Sequence, residues 1–234
     1  MKYEIDPQIL AACSKTASSD ASRLALQNVF VEFSPAKTVY VATDGRCLSC
    51  VEKKRGTDLP PGESGGRRFS LLFPVETCKE IARMAKKSKL GSVEIEPAEE
   101  GRGVTVFFPG GSSFGFVQPC CNYPDWRRVL PSLAQRSTEG RDWPALSLGA
   151  GVLCSVAEFF SLLPGADRYA ANYATIPVGA HLFAFVPTKN IREESEKGSF
   201  SAFAVAMPVS SVFSPTPEAR ECLFAAIDSA ISTE

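Results

Sequence analysis

The order of elements along the chain predicts an α+β fold: antiparallel sheets with helices on one face. Three observations carry this. An alternating stretch, an amphipathic helix and three more strand-like runs occur in that order, β-α-β-β-β, and the same order then repeats before Gln118. Asp44-Gly45, a strong hairpin signal, separates two of the runs. Proline and glycine clusters punctuate the rest. The two units are not alike in sequence, so the repeat rests on element order alone.

Lys2 to Ile5 alternates and reads as a strand. Asp6-Pro7 is a helix start, with Asp6 as N-cap and Pro7 in the first turn. Ile9, Leu10, Cys13 and Ala17 follow at helical spacing. Leu24 to Phe33 alternates less regularly, and a bulge near Asn28 would reconcile its halves. Val39 to Thr43 and Leu48 to Val51 are strands, joined through Asp44-Gly45 as a type I′ turn with positive φ at both central residues. Lys53 to Arg68 reads as a loop, broken by Pro60-Pro61-Gly62 and Gly65-Gly66. The second unit has a strand at Phe69 to Phe73, a helix from Pro74 to about Lys89, and strands at Ser92 to Ile95, Val104 to Phe108 and Ser113 to Val117.

Ser132 to Asp142 is polar and reads as a loop. A third unit follows: a strand at Leu146 to Leu148, a helix at Val152 to Leu163 stopped by Pro164-Gly165, and strands at Tyr173 to Pro177, Leu182 to Val186 and Phe200 to Met207. Thr216-Pro217 opens a last amphipathic helix over 217–232, carried by Ala219, Leu223, Ala226, Ile227 and Ala230.

Bulk properties exclude several classes. Hydrophobic content of 44% against 22% charged supports a packed core and argues against disorder. A net charge of −1 argues against a protein that coats nucleic acid, though not against a local basic surface. No apolar run approaches the roughly 20 residues that span a bilayer. The N-terminal residues have no signal-peptide core, so a cytoplasmic location with reduced cysteines is expected.

Catalytic signals are absent. His181 is the single histidine, with nothing beside it to complete a nucleophilic site. No phosphate-cradling glycine motif occurs, and no cofactor is expected. Cys47, Cys50 and the Cys120-Cys121 pair invite a zinc reading. Residues three apart on a strand point to opposite faces, however, which keeps Cys47 and Cys50 from sharing one ion. The second helix offers a different chemistry. Lys79, Arg83, Lys86 and Lys87 fall within roughly a 100° arc, opposite Val75, Cys78, Ile81, Ala82 and Ala85. Such a stripe suits sequence-independent contact with DNA phosphates; an ordinary solvated face is the other reading. The neighbouring helices are poor in bases, with Lys15 on the first, Glu158 on the third and Glu218, Glu221 and Asp228 on the last.

Tyr123-Pro124-Asp125-Trp126-Arg127-Arg128-Val129-Leu130-Pro131 stands out. Its two prolines bias the residues before them toward extended backbone, and it reads as an extended connector packed against both neighbours. It resembles the segment joining the second and third domains of the bacterial DNA polymerase III β subunit, the sliding-clamp family. Thr43-Asp44-Gly45-Arg46-Cys47-Leu48 and Val205-Ala206-Met207-Pro208-Val209 are similar to two more segments of that family, in the family's order.

The resemblance implies a DNA-clamp-like fold without catalysis. Residues 1–131 would be a complete domain like the family's middle one. Residues 132–234 would be a shortened domain in which helix 217–232 takes the place of a missing unit. The family's N-terminal domain has no counterpart, which leaves a trimeric ring or a monomer as the expected states. The resemblance also implies a groove that takes short peptide motifs of polymerase, clamp-loader or repair proteins. Leu26, Thr43, Gly45, Leu48, Pro124, Val129, Val205, Met207 and Pro208 would line it, with Arg46 and Arg128 at the rim for polar or carboxylate groups. Double-stranded DNA is a further expected partner; a clamp-fold adaptor that never encircles DNA is the alternative. An ordinary domain interface and hairpin turn is the bland reading of the same residues. The family's His-Arg-Leu is replaced here by Arg46-Cys47-Leu48, and on a strand that shift would send the arginine to the opposite face.

Overall fold

The computed structural model describes residues 2–54, 68–129, 148–164, 166, 173–177, 183–187 and 200–206. After β1 (Tyr3–Ile5), Asp6 caps α1 (Pro7–Cys13) as its sequence predicts: Oδ1 accepts from the Gln8 and Ile9 amides at 3.0 and 3.2 Å. Lys53 holds the other carboxylate oxygen at 2.9 Å. The helix stops short of Ala17 and tightens into a 3₁₀ turn at Ser14–Thr16. There the Ser14 and Thr16 hydroxyls donate back to the Ala11 and Cys13 carbonyls, at 2.8 and 2.9 Å.

The bulge expected near Asn28 does not form. Leu24–Gln27 is a 3₁₀ turn, and β2 (Asn28–Phe33) begins only after it. The Asn28 side-chain amide explains this by donating to the Leu24 and Ala25 carbonyls at 2.6 and 3.2 Å, which closes the turn. β3 (Lys37–Thr43) and β4 (Cys47–Lys54) form the expected hairpin, so Lys53 and Lys54 belong to a strand and not to a loop. β5 (Phe69–Pro74), α2 (Val75–Lys87), β6 (Val93–Pro97), β7 (Gly103–Phe107) and β8 (Ser113–Val117) complete the second unit. α3 (Ala150–Leu162), β9 (Tyr173–Pro177), β10 (Phe183–Pro187) and β11 (Phe200–Ala206) follow. Leu148 is not in a strand, and the expected helix 217–232 lies outside the described residues.

The strands do not pair unit by unit. One sheet runs β1-β6-β7-β8 and the other β5-β2-β3-β4-β11-β10-β9. Each unit has therefore given its first strand to the other unit's sheet, and every pairing is antiparallel. β11 joins β4 in register from Phe200↔Lys53 to Ala206↔Cys47, which continues the larger sheet into the third group of strands.

All three helices described here lie in one layer, with α1 packed between α2 and α3. Ile9, Leu10, Ile81, Val156 and Phe160 close over Val29, Val31, Tyr40, Val51 and Phe73 in one buried cluster. A smaller cluster lies on the other face of the larger sheet: Val39, Val41, Leu48 and Cys50 under Trp126. Cys47 and Cys50 fall in different clusters, on opposite faces.

Candidate functional site

The outer cluster is built by the stretch 118–129. Gln118 anchors its start: its N–H donates to the Arg102 carbonyl, and its Oε1 accepts from the Leu72 N–H, both at 2.9 Å. Tyr123 then stacks on Phe30 of β2, ring centroids 5.0 Å apart. Beyond Pro124 the chain is not extended as expected. Trp126–Val129 is a 3₁₀ turn, held by the Arg128 N–H on the Asp125 carbonyl and by an Arg128–Asp125 ion pair at 3.1 Å. The turn drives the Trp126 ring onto β3 and β4, while the Arg127 guanidinium lies 4.3 Å from its centroid. Glu32 fixes Arg127 in that position through contacts of 3.1 and 3.0 Å.

The β3–β4 turn forms one end of the site. The register, with Thr43 opposite Leu48, makes Gly45-Arg46 the central pair and not Asp44-Gly45. Among the described residues of the turn only Gly45 has positive φ, at 86°, the pattern of a type II′ turn and not the expected type I′. Asp44 braces it from outside, its Oδ1 accepting from the Arg46 and Cys47 amides at 2.7 and 2.8 Å. Arg46 is exposed on the turn, and Cys47 opens the strand, buried on the helix side. The arginine is thus not sent across the sheet as a strand position would require.

Leu48 is the centre of the arrangement. Thr43 faces it from β3 and Val205 from β11, so side chains of three strands meet on the outer face. Leu48 and Val205 are buried, and Thr43 is half-buried. Leu26 extends the patch: a Cβ placed on Gly45 would sit 3.9 Å from Leu26 Cδ1 and 2.9 Å from Arg23 Nη1. A side chain at Gly45 would displace only the flexible end of Arg23, so it is the positive φ of 86° that calls for glycine here. Of the other expected lining residues, Pro124 and Arg128 are exposed on the connector, and Val129 ends its 3₁₀ turn. Met207 and Pro208 lie outside the described residues.

Sequence reasoning missed what Tyr123 and Trp126 bring. The Tyr123 hydroxyl and Trp126 Nε1 are buried and have no hydrogen-bond partner among the described residues. Burial pushes the Tyr123 hydroxyl well above its ordinary range; the Thr43 backbone lies near it, off hydrogen-bond geometry. Two aromatics with polar tips inside a proline-bracketed connector were the available signal.

The basic stripe on α2 forms as its spacing predicts. Cys78, Ile81 and Ala85 are buried, and Lys79, Arg83, Lys86 and Lys87 are exposed. Carboxylates on the same helix answer half of it. Lys79 pairs with Glu76 at 2.7 Å, and Arg83 reaches both oxygens of Glu80 at 2.9 and 2.6 Å. The hydrogen bond from Arg83 holds the Glu80 carboxyl below its ordinary value. Lys86 and Lys87 have no carboxylate partner among the described residues and stand at the helix C-terminus, where the dipole favours them. Lys15 is bound to Glu158 at 2.8 Å. No cluster that could hold a metal ion occurs among the described residues.

No family model matches the chain. The curated β sliding clamp of Treponema pallidum (strain Nichols) is 31% identical over 121 residues, 51% of this chain and 29% of that protein. The DNA polymerase III β chain of Streptococcus pneumoniae superposes with a TM-score of 0.61 at 16% identity, covering 90% of this chain and 65% of that one. The sliding clamp of Bacillus subtilis gives 0.59 at 15% identity, covering 90% and 64%. The chain thus spans just under two thirds of these solved clamps and under a third of the curated relative. Its fold is that of the DNA clamp, and the resemblance read from its three short segments is borne out.

Proposed function

We propose that this clamp-fold chain binds short peptide segments of other proteins in the outer groove, and acts by binding without catalysis. The convergence of Thr43, Leu48 and Val205 beside Trp126 supports this reading best. These residues come from the three segments that resemble the clamp family, and they form an apolar patch beside two buried polar atoms that have no partner among the described residues. Met207 and Pro208 follow β11 in sequence, and a methionine adapts to different side chains. Arg46 and Arg128 supply the rim, and Leu26, Gly45, Pro124 and Val129 complete the lining. Polymerase, clamp-loader or repair proteins are the partners that the resemblance to sliding clamps supports.

Anisotropy of a fluorescent Gln-x-x-Leu-Phe peptide tests it. Saturable micromolar binding is expected, lost in Met207→Glu and weakened in Leu26→Asp. Absence of saturable binding to the folded chain overturns the reading.

The ion pairs on α2 favour an adaptor over a ring that grips DNA, because within the α2 stripe two of the four bases, Lys79 and Arg83, are already paired with carboxylates. A monomer in sedimentation, with DNA affinity too weak to follow, fits the adaptor. A trimer that binds duplex DNA restores the ring. In that case Lys86→Glu with Lys87→Glu removes two lysines from each of the three protomers and should lower the slope of log affinity against log salt by up to about 5.

A further inference from the structure

We propose that the open edge of β5 is a second docking site, taking an extended segment of a partner protein that carries a carboxylate. It shares Tyr123 with the edge of the peptide groove, is otherwise built from different residues, and does not rest on that reading.

β5 ends the larger sheet, so one row of its backbone groups has no strand beside it among the described residues. The register identifies that row. Leu72 lies opposite Phe30 and Ser70 opposite Glu32. The Leu72 N–H turns away from β2 and donates to Gln118 Oε1. Antiparallel pairing alternates every second residue, so the Ser70 N–H and C=O face the same open side. Gln118 thus occupies one position where the carbonyl of an added strand would stand, and no described residue takes the next.

Beside this edge lies a groove of about 440 Å³, a volume within the range of peptide and small-molecule sites. Phe30, Leu72 and Tyr123 form its apolar floor, and Ser70, Arg102 and Asn122 stand at its rim. This is the composition that strand addition uses: backbone groups for affinity, and a groove for alternate side chains.

Charge selects the occupant. Arg102 is exposed and has no carboxylate partner among the described residues. Its own carbonyl accepts from Gln118, which ties it to the Leu72 end of the edge. Glu32, opposite Ser70 at the other end, is neutralised by Arg127. The groove therefore offers an uncommitted cation and no free anion, which complements an incoming carboxylate and disfavours a basic segment.

The experiment pans the full chain against a displayed library of random short peptides. The expected consensus alternates β-branched or aromatic residues with polar ones and holds one Asp or Glu. A synthetic peptide of that consensus should shift the backbone amides of Ser70 and Leu72 in NMR spectra. It should lose about tenfold or more in affinity to Arg102→Glu, whose exposed position leaves the fold intact by circular dichroism. Saturating Gln-x-x-Leu-Phe peptide should not displace it. A consensus without a carboxylate, equal binding to Arg102→Glu, or displacement by the Gln-x-x-Leu-Phe peptide overturns the proposal. So does a concentration-dependent dimer abolished by Arg102→Glu, which would assign the edge to a second copy of the chain.

Discussion

On the helix face of the larger sheet, Val31, Tyr40, Val51 and Phe73 are wholly covered by α1, α2 and their neighbours. The polar groups buried with them are paired. Ser49 and Thr16 share a hydrogen bond, Thr16 donates to the Cys13 carbonyl, and the Tyr40 hydroxyl accepts the Asp6 N–H at 3.0 Å. The outer face carries a much smaller cover, chiefly the Trp126 ring and its Arg127 lid. Tyr123 and Trp126 there end in a hydroxyl and an indole N–H that have no partner among the described residues. Alternate residues of the same strands feed both faces, since Cys47, Ser49 and Val51 point one way and Leu48 and Cys50 the other. A saturated face specifies the fold; the thinner face keeps two buried polar groups whose hydrogen-bonding capacity is unmet among the described residues.

Large-to-small substitutions probe this difference most strongly. Phe73→Ala should lower unfolding free energy by about 3–5 kcal/mol in urea titration. Trp126→Ala should cost at or below the lower end of that range, because one side of its ring is covered by a guanidinium and not by core. Equal losses would mean that the outer cluster is as structural as the inner one.

Alkaline pH gives the next effect. Burial pushes the thiols of Cys13, Cys47 and Cys78 on the helix face, and Cys50 on the outer face, well above their ordinary value. A folded-state pKa above the unfolded one stabilises fully at low pH and loses its contribution as pH rises. Stability should hold below about pH 8.5 and then fall, by up to roughly 1.4 kcal/mol per pH unit for each thiol. Urea midpoints between neutral and alkaline buffers measure this, and Cys78→Ala should remove one helix-face share. A flat profile would show that these thiols ionise as readily folded as unfolded.

The smallest change separates structure from binding. Trp126→Phe keeps most of the ring and deletes the unpartnered N–H. Stability should stay within about 1 kcal/mol, or rise, because an unsatisfied buried donor is removed. Peptide affinity should fall about tenfold if Nε1 donates to the ligand. Unchanged affinity would leave the indole as packing alone.

Short-range chemistry made much of this legible before any coordinates. Asp6-Pro7 announced α1 because both the cap and the fixed φ act within the first turn. The apolar and basic stripes of α2 followed from helical periodicity, and the order β-α-β-β-β held through both units. The misses came where one side chain outvoted a pattern. The Asn28 amide turned Leu24–Gln27 out of the strand, and the Asp125–Arg128 pair curled a connector that two prolines had marked as extended. The β3–β4 hairpin was expected, but its turn type depended on register, which moved the central pair by one residue.

Residue types and their spacing settled which segments would be strands and helices, and which residues would be apolar, basic or capping. They acted over one or two turns of chain, where neighbours are given by the covalent order. The exchange of β1 and β5 between sheets, the seam of β4 with β11, and the meeting of Thr43, Leu48 and Val205 were decided only when the chain closed. Each of these joins residues far apart in sequence, and the pairing that wins is the one that buries both apolar faces while satisfying the strand edges. Trp126 is apolar by composition, but it became the cover of the outer cluster because β3 and β4 presented Val39, Val41, Leu48 and Cys50 beneath it.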